Sequence, residues 1–145
     1  MTEPAWKNLA PGPELRRIIA ERLGWHIRKI PVGSDGVAYD HFVYDNDDRI
    51  AYHRAIPLGD QADDEAAFAQ TWLEAMNDPD CLRWDEDLAE ALYLAYNMER
   101  EIRQENGRVH AWVKSPTFSA LADTEPLAVV RAWLAATEDD PAYFH

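Results

Sequence analysis

Asp40, His41 and His53 are the residues best equipped for chemistry. Two imidazoles and a carboxylate are a ligand set for a transition metal, and a bound metal would make a metal-dependent enzyme conceivable. The spacing decides against it. Val37 to Tyr44 and Arg49 to Ile56 read as an antiparallel hairpin closed by the four-residue loop Asp45-Asn46-Asp47-Asp48. That loop pairs Tyr44 with Arg49, hence His41 with Tyr52 and Asp40 with His53. The two histidines then fall on opposite faces, because side chains alternate along a strand. The same loop begins like a calcium loop, but Ile50 and Ile56 stand where an EF-hand needs a glycine and an acid. Cys81 follows Asp78-Pro79-Asp80, whose charges disfavour a thiolate nucleophile. No Gly-x-Ser-x-Gly elbow is present, and the six glycines form neither a phosphate loop nor a dinucleotide fingerprint. We therefore expect no catalytic residue, no metal and no cofactor.

Charge is the next feature. The formal net charge is −13, unevenly spread. Residues 1–34 carry six basic and three acidic side chains, whereas residues 60–90 hold eleven acids against Arg83 alone. Such a surface repels polyanions and disfavours direct nucleic-acid binding. Inside the acidic block, Trp84 is followed by Asp85, Glu86 and Asp87. An aromatic beside charge is a common mark of an interaction surface. The clustered basic candidates are Arg16, Arg17, Arg28, Lys29 and Arg131. No apolar run approaches the ~20 residues a membrane span requires. Neither a signal peptide nor enough cysteines for a disulfide is visible, which points to a cytoplasmic protein.

These residues must be held by a framework, and the chain supplies one in alternating pieces. Residues 1–12 read as a loose lead-in to a single domain spanning 1–145. Pro13 to Leu23 reads as a helix with a Leu15, Ile18, Ile19 and Leu23 stripe, ended by Gly24. Residues 25–30 read as a strand leading into the hairpin. A second helix is expected over 63–77, burying Phe68, Trp72, Ala75 and Met76. Residues 85–105 read as one long helix through Leu88, Ala91, Leu92, Ala95 and Ile102, capped by Asn106-Gly107. Residues 108–114 and 117–121 read as strands. The strongest helix is 124–137, with Thr124 as N-cap, Pro126 in its first turn, and Leu127, Val130 and Leu134 on one stripe. Residues 138–145 read as a frayed acidic tail. The sum is an α+β fold, an antiparallel sheet sandwiched between helices (an α/β/α sandwich).

Three segments resemble a known family. Glu14 to Trp25 resembles the opening helix, with its closing Gly-Trp pair, of the phage ABA sandwich domain family. Ala66 to Leu73 resembles that family's central Ala-rich helix, and Ala122 to Ala132 its C-terminal signature. The chain differs in its acidic stretch over residues 78–105. The resemblance implies an α/β/α sandwich and a small phage or prophage protein acting inside a bacterium. It implies no catalytic residues.

The expected function is therefore a non-enzymatic phage or prophage accessory protein that binds a host protein through Trp84, Asp85, Glu86 and Asp87. The alternative is a small-molecule binder that sequesters a nucleotide signal through Arg16, Arg17, Arg28, Lys29 and Arg131. A metal-dependent enzyme using His41 and His53 ranks third.

Overall fold

A computed structural model describes residues 5–32, 38–55, 64–78, 81 and 83–138. After a 3₁₀ turn at Ala5–Asn8 come α1 (Pro13–Leu23), β1 (His26–Val32), β2 (Ala38–Tyr44) and β3 (Ile50–Ala55). Then follow α2 (Asp64–Asn77), α3 (Leu88–Leu94), β4 (Arg100–Glu105), β5 (Arg108–Val113), β6 (Ser115–Ala122) and α4 (Glu125–Thr137). The fold is α+β, as expected, but its strands divide into two three-stranded antiparallel sheets, β1-β2-β3 (sheet A) and β4-β5-β6 (sheet B). α2 packs on β2 and β3, and α4 packs on β5 and β6. α1 lies against α2, and α3 against α4. No described helix is long and apolar enough to cross a membrane.

α4 holds sheet B. The Thr124 hydroxyl accepts the Leu127 N–H, and Leu127, Val130, Trp133 and Leu134 are buried. They meet Val109, Ala111, Val113 and Ala122, the inward-facing residues of β5 and β6. Burying each large apolar side chain contributes about 1.5–3 kcal/mol. The open end of α4 is closed from outside: Arg22 Nη1 donates to the Leu134 carbonyl and the Thr137 hydroxyl, both at 2.9 Å. A cation there also complements the negative end of the helix.

The Gly24-Trp25 pair ends α1 in a Schellman arrangement. Gly24 adopts φ 100°, its N–H donates to the Glu21 carbonyl, and the Trp25 N–H donates to the Ala20 carbonyl at 2.9 Å. Trp25 is thereby turned into the core, where its ring meets Trp84 edge-on at 5.4 Å. One cluster of buried side chains joins α1, α2 and sheet A to α3, α4 and sheet B.

The expected long helix over 85–105 is corrected. α3 has seven residues and stops at Ala95, and residues 100–105 form β4. Asn106 and Gly107 have φ of 51° and 80° and join Glu105 to its partner Arg108. Two consecutive positive φ values make a two-residue hairpin turn, not a helix cap. In sheet A, an extra residue at Ala51 shifts the register between Val43 and Tyr44, so Tyr44 pairs with Ile50, which is 58% exposed.

Candidate binding face on sheet A

The hairpin register decides which side chains share a face. His41 pairs with Arg54 and Phe42 with His53. This is displaced by two residues from the expected pairing, and a displacement of two preserves the faces. His41 and His53 are therefore on opposite sides, and the metal-enzyme reading loses its ligand set. Among the described residues no group of three or more His, Cys, Asp or Glu is placed to hold a metal. His41 is buried, edge-on to Phe68 of α2 at 5.2 Å. The acidic loop is a hairpin turn: the Asp45 carboxylate accepts the N–H groups of Asp47 and Arg49 at 2.8 and 3.0 Å. Cys81 is buried, its Sγ 3.9 Å from the Ala51 carbonyl.

The side chains Val43, Tyr52 and Arg54 share the inner face with His41 and meet α2. Arg54 Nε donates to Glu74 Oε2 at 2.7 Å, and the Tyr52 hydroxyl donates to Glu74 Oε1 at 3.2 Å. Partial burial pushes the Glu74 carboxyl up, but the hydrogen bonds from Arg54, Gln70 and Tyr52 outweigh it and hold the group below its usual value. Burial and the neighbouring Glu74 charge together raise the Tyr52 phenol.

The outer face is different. Four rings run across it in a ladder. His26 stacks on Tyr44 at 5.6 Å, Tyr44 neighbours Phe42 at 6.3 Å, and Phe42 stacks on His53 at 4.3 Å with planes 3° apart. The Arg28 guanidinium lies 4.7 Å from the Tyr44 ring centre. Asp40 Oδ2 fixes His53 Nε2 at 2.7 Å. Asp48, in the turn, stands 3.7 Å from Arg28 and 3.8 Å from His26. Ile30 and Ile50 are exposed at the edges. α2, the helix packed on sheet A, meets the inner face, and on the outer face Arg28 and His53 are exposed and His26 part-exposed.

No match to the chain was found among protein-family models, curated proteins or solved structures. The likeness to the phage ABA sandwich family thus rests on the three segments quoted above.

The acidic segment is where expectation and structure part most sharply. Trp84 is 2% exposed and Asp85 fully buried. Asp85 Oδ1 accepts Arg16 Nε at 2.7 Å, and Asp85 Oδ2 accepts the Gly12 N–H at 2.7 Å, at the start of α1. Arg16 Nη1 donates to the Met76 carbonyl at the end of α2, and Nη2 to Glu86. The acid thus sits at one helix's positive end and the cation at another's negative end. Asp87 is the N-cap of α3, accepting the Glu90 N–H at 3.2 Å. Trp84, Asp85 and Asp87 are structural, and only Glu86 presents a largely exposed side chain without a capping role. Charge reversal across 85–87 would break the interior instead of a surface.

The five basic candidates do not converge either. Arg16 is buried in this ion pair. Arg17 lies over the Trp72 ring and pairs with Glu21. Arg28 is on the outer face of sheet A, Lys29 on the opposite side of the same strand, and Arg131 on α4. Phe42, Tyr44 and His26 are the residues of this face that sequence reasoning misses. Their signal was present in the strand alternation, where the set opposite His41 and Val43 is also aromatic.

Proposed function

We propose that this chain is a non-enzymatic binding protein that docks a partner protein on the outer face of sheet A. The observation that carries the reading is the ring ladder His26, Tyr44, Phe42 and His53 on the face opposite to the one that α2 packs against. Aromatic residues and arginine concentrate at the energetic centres of interfaces. Stacking within the His26–Tyr44 and Phe42–His53 pairs holds these rings in place before binding, so less side-chain entropy remains to be lost. The rim is acidic: Asp47 and Asp48 are exposed in the turn, and the whole chain carries −13. The partner that fits presents flat apolar side chains ringed by basic ones. Association is then steered by charge and weakened by salt. The phage or prophage setting, and a bacterial host protein as the target, belong to this proposal and are supported by the resemblance of the three segments.

The test is capture from host lysate on three immobilised forms: wild type, Phe42→Ser with Tyr44→Ser, and Glu101→Ser with Arg103→Ser on sheet B. A basic protein held by the first and third but not the second, and released by salt, supports the reading. A partner retained equally by all three overturns it.

A further inference from the structure

A groove of about 430 Å³ opens between the 3₁₀ turn, β6 and α4. Trp6, Lys7, Asn8, Thr117, Ser119 and Arg131 are among its walls. Arg131 is held there by backbone alone: Nη2 donates to the Leu9 carbonyl at 2.9 Å and Nη1 to the Leu121 carbonyl at 3.2 Å. Its Nε is buried and has no hydrogen-bond partner among the described residues. No described carboxylate lies within ion-pair distance of it, and the neighbouring Asp123 is 3.5 Å from Arg108. Burial, reinforced by the Arg108 charge and opposed by Asp123, lowers the Arg131 guanidinium from its ordinary value. Trp6 is 5% exposed, and its indole N–H also has no partner among the described residues. Lys7 is exposed beside it, its ammonium 6.0 Å from the Trp6 ring centre.

A partly buried cation with no carboxylate in ion-pair contact among the described residues is costly, and an anion entering the groove lowers that cost. We infer that the groove binds the phosphoryl group of a small molecule, with Arg131 and Lys7 supplying the charge. The Asn8 amide, in the same wall as Lys7, supplies a further donor for its oxygens. The volume suits a phosphorylated metabolite rather than a polymer. The net charge of −13 opposes a polyanion far more than one phosphoryl group. The site keeps one of the five cations considered from the sequence, Arg131, and adds Lys7. It is separate from sheet A and stands or falls apart from the partner-binding reading.

The experiment is a titration with inorganic phosphate, adenosine 5′-monophosphate and adenosine, followed by calorimetry and by the arginine Nε–H resonances in nitrogen-15 NMR. Phosphate and the monophosphate should shift the Arg131 signal saturably, adenosine should not, and added salt should weaken both. Lys7→Gln, at an exposed position, should raise Kd at least about threefold, as loss of one screened charge contact does. Arg131→Gln, checked for native circular dichroism, should raise it tenfold or more, about 1.4 kcal/mol. Tenfold tighter binding of the monophosphate than of phosphate identifies an organic phosphate as the ligand, and equal binding identifies the free anion. Adenosine binding as tightly as the monophosphate, no saturable shift with any probe, or an unchanged Kd in Lys7→Gln overturns the inference.

Discussion

The Arg16–Asp85 pair and the ring ladder of sheet A are built from overlapping kinds of residue, an aromatic, an acid and an arginine in each, and they have opposite fates. In the first, Trp84 and Asp85 are sealed inside, where the acid meets both an arginine and the free N–H of Gly12. In the second, Tyr44 and Phe42 are part-exposed, with Arg28 across one ring and Asp40 on the neighbouring histidine. The deciding difference is what helix ends need. α1 begins and α2 stops beside residues 84–86, and their orphan backbone groups draw a carboxylate and a guanidinium inward. β2, which carries Phe42 and Tyr44, has its backbone groups paired with a strand on each side, so no orphan helix end draws these side chains into an interior. A change in the first region should therefore act on folding, and a change in the second on binding.

The largest effect is expected at Asp85. Asp85→Ala leaves Arg16 buried without its main partner, and breaking one side of a buried pair costs about 3–5 kcal/mol. Urea unfolding should show the midpoint fall accordingly, while whatever protein remains folded keeps its partner affinity. A loss under about 1 kcal/mol, within the range of exposed pairs, would show that the pair does not hold α1 to α2 and α3. The opposite pattern is expected for Phe42→Ser with Tyr44→Ser. Loss of two central aromatics should weaken the complex by about 2 kcal/mol, roughly thirtyfold. Stability should change by less than about 1 kcal/mol, because both rings are already part-exposed. A double variant that unfolds would place the ladder with the interior and erase the contrast.

The same contrast explains what was legible in the sequence. α4 was legible because its signals are local: Thr124, Pro126 and the Leu127, Val130, Leu134 stripe agree within one segment. The buried acid was not, because Asp85 and its arginine are 69 residues apart and each looks solvated in its own neighbourhood. β4 was misread because Asn106-Gly107 satisfies two rules at once. A helix end needs one residue at positive φ and a hairpin turn needs two, and this dipeptide serves either. Nor does a list of strands say how they divide between sheets. The face of His53 relative to His41 survived an error in register because the error was even.

A smaller effect tests how sheet A is seated. Glu74 joins α2 to Arg54 and Tyr52, and its carboxyl titrates lower in the folded state than in the unfolded one. Its contribution is fully present above the unfolded value and is lost as pH falls through the lower, folded value. Glu74→Gln should cost on the order of 1 kcal/mol at neutral pH. It should also flatten the loss of stability below about pH 4.5, the ordinary value for this group. An acid limb identical to wild type would remove Glu74 as the seat of that dependence.

The smallest effect is expected on sheet B, and it is the one that makes the contrast specific. Sheet B repeats the three-stranded antiparallel plan and also packs a helix on one face. Its other face has Trp112 and Leu121 set among charges instead of a ring ladder: Arg103 Nε contacts Glu101 at 2.8 Å, and Arg108 and His110 stand near Asp123 and Glu105. Exposed pairs of this kind contribute about 0–1 kcal/mol. Glu101→Ser with Arg103→Ser should thus shift stability by less than about 0.5 kcal/mol and leave partner binding and phosphate binding where they were. If this variant lost the partner as fully as the Phe42 and Tyr44 variant, an open sheet face of any composition would suffice, and the rings would not be what the partner reads. An unchanged complex leaves composition, not topology, as the difference between a face that only meets water and one that meets a protein.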